Sequence, residues 1–197
     1  MELLVVIVVI GILASITIVA YNNIQQRARN SLRVNAVSQL QKVVKMAASA
    51  NTMTSMRDSL NVSSGWYRAC LGTGYADSDG DGVGDCGVYG TPYVSESDNF
   101  TTMLSTWATV PSMGSYPVLA LDGNVVSGPF IQSAWVDGRD MLVVEYALEG
   151  SEQDCQLGPL VYYGASDTRT MTPSSTPKYS LSEAGTSVTE CMIAVYQ

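Results

Sequence analysis

The chain contains no histidine among its 197 residues. Histidine is the most common general base and metal ligand near neutral pH, so its absence removes the usual centre of acid–base and metal-dependent catalysis. The sequence also has no Ser/His/Asp or Cys/His arrangement and no glycine-rich pattern for cradling phosphate. We therefore predict that the protein is not an enzyme.

Acidic residues are almost missing from the first 57 residues. Glu2 is the only one there, although this segment holds six of the ten basic residues of the chain. The remaining 140 residues carry four basic and seventeen acidic residues. So acidic a region argues against broad electrostatic binding to nucleic acid or anionic lipid. We expect no direct nucleic-acid binding by this part of the chain.

Charge is absent between Glu2 and Arg27, and residues 3–20 are almost wholly aliphatic. As a helix these residues rise about 27 Å, close to the hydrocarbon thickness of a bilayer. The run is too long for a secretory leader and nothing basic precedes it, so we expect an anchor that stays with the protein. A carboxylate at the rim of such a segment is costly in lipid unless a positive group meets it. The position of Glu2 therefore predicts that a positively charged partner pairs with its carboxylate.

Proline is absent before Pro92, so no proline interrupts a helix in this part of the chain. Aliphatic residues recur there at helical spacing: Val37, Leu40, Val44 and Ala47. Polar residues fall largely on other faces: Arg33, Gln39, Gln41, Lys42 and Lys45. We predict one helix from residue 3 to about residue 50, apolar all round in its first half and packed on a domain in its second half.

From residue 51 the composition shifts to Ser, Thr, Gly and Asp. Short helices are expected near residues 53–60 and 97–107, the second capped by Ser97. Asp-Gly turns between apolar segments indicate hairpins. The predicted strands are 116–121, 124–126, 130–136, 141–148, 160–163 and 188–196, and the Ser/Thr/Pro-rich residues 172–177 predict a surface loop. The fold class is α+β: a helix over 1–50 lies on the antiparallel sheet of a head over 51–197.

Four cysteines are present: Cys70, Cys86, Cys155 and Cys191. An even number in a chain with an export-type start predicts two disulfides and an oxidising compartment. The pairs Cys70–Cys86 and Cys155–Cys191 close the shorter loops and are the ones we favour. The sequence alone permits three connectivities.

An acidic loop lies inside the first of these cysteine pairs. Its carboxylates fall at positions 1, 3, 5 and 9 of a calcium-loop pattern: Asp77, Asp79, Asp81 and Asp85. Gly82 at position 6 permits the sharp turn, and the Val83 carbonyl serves as position 7, whereas Val88 stands where a closing acid is expected. The loop resembles the calcium repeats of extracellular thrombospondin-type or EF-like proteins. We predict structural Ca²⁺ here; the alternative is a solvated acidic turn held by Cys70–Cys86.

The first thirty residues resemble the N-terminus of the type IV pilins and their relatives in the type IV filament family. The matching stretch is Glu2-Leu-Leu-Val-Val-Ile-Val-Val-Ile-Gly11-Ile-Leu-Ala, with Tyr21 and Arg27 where such helices turn polar. In that family a processed, N-methylated terminus lies a few residues before a glutamate that contacts a neighbouring subunit's terminal amine. The resemblance implies this role for Glu2 and a loosening of the helix near Gly11. The family has four residues before this glutamate, whereas only Met1 precedes Glu2. We therefore expect either that the first residues and a leader lie upstream of Met1 or that the start of the chain is misassigned.

The resemblance implies a major pilin that polymerises through its apolar helix into an extracellular type IV pilus serving adhesion, motility or DNA uptake. It implies a prepilin peptidase and assembly machinery as partners, the cytoplasmic membrane before assembly, and a variable exposed region bounded by Cys155–Cys191. The charge split adds a hypothesis about three basic residues just outside the filament core. We expect Arg27, Arg29 and Arg33 to meet the acidic heads of adjacent subunits.

Two other interpretations stay open. A pseudopilin of a type II secretion fibre would share the same helix and is compatible with a calcium loop. A membrane-anchored calcium-binding domain that does not polymerise would need neither Glu2 nor the extended amphipathic part of the helix. The size of the head and the two expected disulfides favour the surface pilus.

Overall fold

The structure is a computed structural model of the chain. It describes residues 2–63, 66–78, 80–87, 94–113, 119–121, 124–126, 128–136, 138–164, 167–175, 178–181 and 187–196. The chain divides into two compact units, Met1–Leu32 and Arg33–Gln197. The second unit contains the predicted head over 51–197 together with residues 33–50 of the helix, and from here on we call all of it the head.

A single helix, α1, covers Glu2–Ala50, which confirms the predicted helix over 3–50. Its part in the head buries the four aliphatic residues that recur at helical spacing: Val37, Leu40, Val44 and Ala47, all 0% exposed. The predicted polar faces are only partly correct. Lys42 and Lys45 are exposed, whereas Arg33 and Gln41 are buried.

Two short helices follow, as predicted. Helix α2 covers Met53–Asp58, and the Thr52 side chain accepts a hydrogen bond from the Ser55 backbone N–H at 3.2 Å. Helix α3 covers Asp98–Ser105, and Ser97 caps it by accepting from the Phe100 N–H at 3.4 Å. These side chains satisfy backbone donors that the first helical turn leaves free. On α3, Phe100 and Leu104 point into the core.

The described residues form twelve strands. They are β1 Asn61–Ser63, β2 Trp66–Cys70, β3 Asp85–Gly87, β4 Val94–Ser95, β5 Leu119–Leu121, β6 Asn124–Val126, β7 Phe130–Val136, β8 Arg139–Glu149, β9 Leu160–Gly164, β10 Asp167–Ser174, β11 Lys178–Leu181 and β12 Ser187–Tyr196. The predicted hairpins β5–β6 and β7–β8 are confirmed, the latter from Phe130↔Glu145 to Val136↔Arg139. A strand, β10, takes up residues 172–174, so the predicted surface loop over 172–177 is wrong there; residues 176–177 lie outside the described part.

Five strands of the larger sheet form a closed circuit of pairings. β7 pairs with β8, β8 with β12, β12 with β9, β9 with β10, and β10 returns to β7. The last pairing is parallel, through Thr170↔Trp135 and Met171↔Val136, so the predicted antiparallel sheet contains one parallel step. A smaller sheet has the order β4-β3-β6-β5.

Strands β8 and β12 of the large sheet are buried on both faces, which gives the head two apolar clusters. One face packs against α1, with Leu142, Val144 and Ile193 in the same cluster as Leu40. Alternate residues of the same strands, Met141 among them, enter the second cluster with Met171 and Met192. Successive side chains of a strand point to opposite faces, so β8 is apolar from Met141 to Leu148 except at Glu145.

Both favoured disulfides are present. Cys70–Cys86 joins β2 to β3 with a Cα–Cα distance of 5.4 Å, and Cys155–Cys191 joins the segment after β8 to β12 at 5.7 Å. Their sequence separations are 16 and 36 residues. On the loop-entropy model these cross-links stabilise the fold by about 3 and about 4 kcal/mol. The second therefore fastens the central strand β12, and the first holds the ends of the acidic loop.

Candidate functional site

Within the first unit, residues 5–18 of α1 present an apolar surface on every side of the helix. Ten aliphatic side chains are between 47% and 62% exposed: Val5, Val6, Ile7, Val8, Val9, Ile10, Ile12, Leu13, Ile16 and Ile18. Because neighbouring residues of a helix point in different directions, this run leaves no polar face. We call these residues the apolar helix surface. By length and composition the helix is able to cross a membrane.

The two hydroxyl residues within this segment are satisfied inside the helix. Ser15 Oγ donates to the Ile12 carbonyl and Thr17 Oγ1 to the Leu13 carbonyl, each at 2.7 Å. A hydroxyl bonded in this way does not need water. The segment is therefore suited to lipid or to a dry core of packed helices.

Gly11 interrupts the aliphatic run. Glycine costs a helix interior about 1 kcal/mol relative to alanine. A Cβ built at Gly11 would meet nothing within 4 Å in the described parts of the chain. No contact described within the subunit thus requires glycine, and the predicted loosening of the helix at Gly11 stays a prediction.

Glu2 is the first residue of α1. The placement of its side chain lies outside what the structure describes. The predicted contact between Glu2 and a neighbouring subunit's terminal amine therefore stays a prediction.

The three basic residues predicted to meet neighbouring heads differ in burial. Arg27 is exposed and Arg29 is half-buried. Arg33 is 0% exposed and donates to Glu149 of its own chain, with Nη2 and Oε1 2.7 Å apart. A buried guanidinium is costly unless a carboxylate pairs with it. The prediction that Arg33 reaches an adjacent head is wrong, because the head itself uses this residue.

Backbone donors surround two carboxylates of the acidic loop. Asp77 accepts from the Gly80 N–H at 2.6 Å and from the Gly82 N–H at 2.9 Å. Asp81 accepts from the Val83 N–H at 2.8 Å. Gly80 and Gly82 have φ of +83° and +90°, a region that side-chain-bearing residues seldom adopt. These glycines let the chain fold back over Asp77.

Asp85 has a different environment from the other acids of the loop. It lies in β3 and is 2% exposed. One carboxylate oxygen accepts from the Ser78 N–H and the other from the Ser95 hydroxyl, each at 2.9 Å. Asp79 is outside the described residues. Among those that are described, no three acidic side chains form a group able to hold a metal ion, so the Ca²⁺ prediction remains untested.

A polar groove of about 590 Å³ lies beside the loop. Asp81, Val83, Glu96 and Asp98 are among its lining residues. Glu96 accepts from the Tyr75 N–H at 2.9 Å through Oε1. Glu96 and Asp98 are close to the loop in sequence, but only the pairing of β3 with β4 brings them beside Asp81.

Comparisons of the chain with protein-family models, with curated proteins and with solved structures find nothing that matches.

Sequence reasoning missed one residue that organises the head. Glu149 closes β8 and neutralises Arg33 from 116 positions away along the chain. No local pattern signals such a pair. The only sequence feature that points to Glu149 is its position directly after the apolar run of β8.

Proposed function

We propose that this protein is the major structural subunit of an extracellular filament of the type IV pilus kind. The supporting observation is the apolar helix surface, whose ten side chains are about half exposed or more. A contiguous exposed apolar surface on a folded chain marks a contact with membrane or protein. Its place at the start of a 49-residue helix fits a subunit that is first anchored and then polymerised.

Assembly exchanges one apolar environment for another. Before assembly the helix lies in the bilayer, and in the fibre the same side chains pack against helices of neighbouring copies. Lipid tails are as apolar as leucine, so the gain comes from close packing and from polar contacts rather than from expulsion of water. Glu2 would supply such a contact, because a carboxylate in an apolar core needs a positive partner.

The head is suited to a surface exposed to the environment. Two disulfides cross-link it, and such bonds persist in oxidising compartments. Arg27 and Arg29 precede the head, and seventeen of the eighteen acids follow residue 57. We propose that these two arginines face acidic heads of neighbouring subunits, without Arg33.

We also propose that the acidic loop binds one structural Ca²⁺. Support comes from the spacing of Asp77, Asp79 and Asp81 and from the two glycines that fold the chain over Asp77. Acids so close in sequence repel one another unless a cation neutralises them. The groove offers Glu96 and Asp98 as candidates for the closing ligand that Val88 cannot supply.

Glu2→Ala in the producing cell tests the filament proposal. We expect surface fibres, counted by electron microscopy, to be lost while the subunit remains in the membrane fraction. Glu2→Gln keeps the shape without the charge and should fail similarly, whereas Asn22→Ala, an exposed polar position on the same helix, should leave fibres intact. Normal fibres from Glu2→Ala, or a wild-type chain that forms none, would contradict the proposal. Short fibres confined to the envelope would indicate the secretion-type subunit instead.

A further inference from the structure

A second groove opens on the head where β2 and β7 separate. β2 pairs with β7 as far as Gln132, and β10 pairs with β7 from Trp135. Residues 133–134 therefore lie between two ladders, and a groove of about 270 Å³ forms beside them. This volume is just below that of most small-molecule sites, about 300–1,000 Å³. We call it the aromatic groove.

Three aromatic side chains line this groove: Trp66, Tyr67 and Trp135. The Trp135 side chain is 51% exposed although it stands on a central strand of the sheet. Trp66 and Tyr67 are half-buried. Tryptophan and tyrosine combine a flat apolar face with a polar tip, so they favour ligands that have both kinds of surface.

Three polar side chains joined by hydrogen bonds lie among these rings. The Ser133 hydroxyl donates to Asp140 Oδ1 at 2.7 Å, and Arg57 Nη1 donates to Asp140 Oδ2 at 3.3 Å. The Arg57 guanidinium also lies 5.1 Å from the centre of the Tyr67 ring, a cation–π distance. Arg57 and Asp140 are thus held before any ligand arrives, which lowers the entropy cost of binding.

We propose that the aromatic groove binds one ring of a neutral glycan. A sugar ring has an apolar C–H face, which stacks on an aromatic side chain, and a rim of hydroxyl groups that both donate and accept. Arg57 can only donate and Asp140 can only accept. Arg57 Nε also lies 3.4 Å from Asp58 Oδ1, and the Arg68 guanidinium lies 4.5 Å from the centre of the Trp66 ring. Two cations and two carboxylates therefore balance around the groove, so the site attracts neither anions nor cations strongly. This proposal does not rest on filament assembly and concerns the head alone.

Saturation-transfer NMR tests the proposal on the full chain in a zwitterionic detergent without a sugar headgroup. The probes are the methyl glycosides of glucose, galactose, mannose and N-acetylglucosamine. We expect transfer to the ring protons of at least one glycoside. Trp135→Ala should abolish that transfer, and Asp140→Asn should weaken it.

Trp107→Ala is the matched control, because Trp107 is 44% exposed and does not line the groove. It should leave the transfer unchanged, and thermal melting should show that all variants remain folded. The proposal is overturned if no glycoside shows transfer. It is also overturned if Trp135→Ala shows the same transfer as the wild type and the Trp107→Ala control. Binding of a proline-rich peptide to the groove, with no glycoside bound, also overturns it.

Discussion

The two parts of helix α1 share one backbone conformation but have opposite surroundings. Residues 5–18 expose aliphatic side chains in all directions, whereas in residues 34–48 the aliphatic side chains Val37, Leu40 and Val44 are fully buried. Residues 5–18 are rich in Val and Ile, which are weaker helix formers than Leu. Intrinsic helix propensity alone therefore does not explain this part of the helix. The difference teaches that one part packs within the subunit, whereas the other leaves its aliphatic side chains exposed, and this exposure is why we propose that it contacts lipid or other copies of the chain.

At the junction between these parts an apolar side chain is exposed and a charged one is buried, the reverse of the usual pattern. Leu32 is 67% exposed and Arg33 is 0% exposed, and the boundary between the two units falls between them. Arg33 is buried because Glu149 pairs with it within the head. Leu32 belongs instead with the exposed apolar residues of the first unit, which we propose contact other copies of the chain.

Removing the partner of Arg33 should have the largest effect on the head. Glu149→Ala leaves a buried guanidinium without its carboxylate, and losing one member of a buried ion pair costs about 3–5 kcal/mol. Guanidinium denaturation followed by tryptophan fluorescence measures the change. Adding Arg33→Met should recover much of the loss, because the buried charge is then gone. An unchanged free energy of unfolding in Glu149→Ala would show that Arg33 does not depend on this pair.

Truncating one aliphatic residue in each part of α1 tests the comparison directly. Leu40→Ala opens a cavity in the core and should lower the free energy of unfolding of the head by about 2–5 kcal/mol. Ile10→Ala removes a side chain that is 59% exposed and should change it by less than about 0.5 kcal/mol. Equal losses from both changes would mean that the two parts are not distinct.

Calcium should stabilise the head without acting on the apolar helix surface. With a dissociation constant of about 1 mM, 10 mM Ca²⁺ would add about 1.4 kcal/mol. The melting temperature of the purified chain with and without Ca²⁺ measures this gain. The double change Asp77→Asn and Asp81→Asn should remove the response. Equal melting temperatures in the wild-type chain at both concentrations would count against the metal site.

Gly11→Ala should have the smallest effect and should act on the first part alone. Alanine favours the helix by about 1 kcal/mol, and the added Cβ meets no described atom of the subunit. The unfolding of the head should stay unchanged, while fibres pulled by optical tweezers should extend less. Fibres as extensible as the wild type would show that Gly11 is not where the helix loosens.

Features set by local periodicity could be predicted from the sequence. The absence of proline before Pro92 and the spacing of Val37, Leu40 and Val44 placed α1 and its buried face correctly. The Asp-Gly turns predict β6 and the β7–β8 hairpin, and the position of Ser97 predicts a helix cap; the structure has all three. Each of these signals lies within a few residues of the feature it predicts.

Features set by distant partners could not be predicted. The sequence predicts a neighbouring subunit as the partner of Arg33, because no nearby residue shows that Glu149 of the same chain pairs with it. Residues 172–174 have the composition of a loop but join β10, since β9 provides a hydrogen-bonding edge along them. In the aromatic groove, the exposure of Trp135 follows from the separation of β2 and β7, which no local pattern of the sequence shows.

Thiol labelling of surface fibres tests the central claim most directly. The variant Ile10→Cys places a thiol in the apolar helix surface, and the four native cysteines are disulfide-bonded. In isolated intact fibres the new thiol should resist a water-soluble maleimide, and it should react once the fibres are dissolved in guanidinium. Ser151→Cys, at an exposed turn of the head, checks that the reagent is active. A thiol at position 10 that reacts fully in intact fibres would contradict a filament core built from this helix.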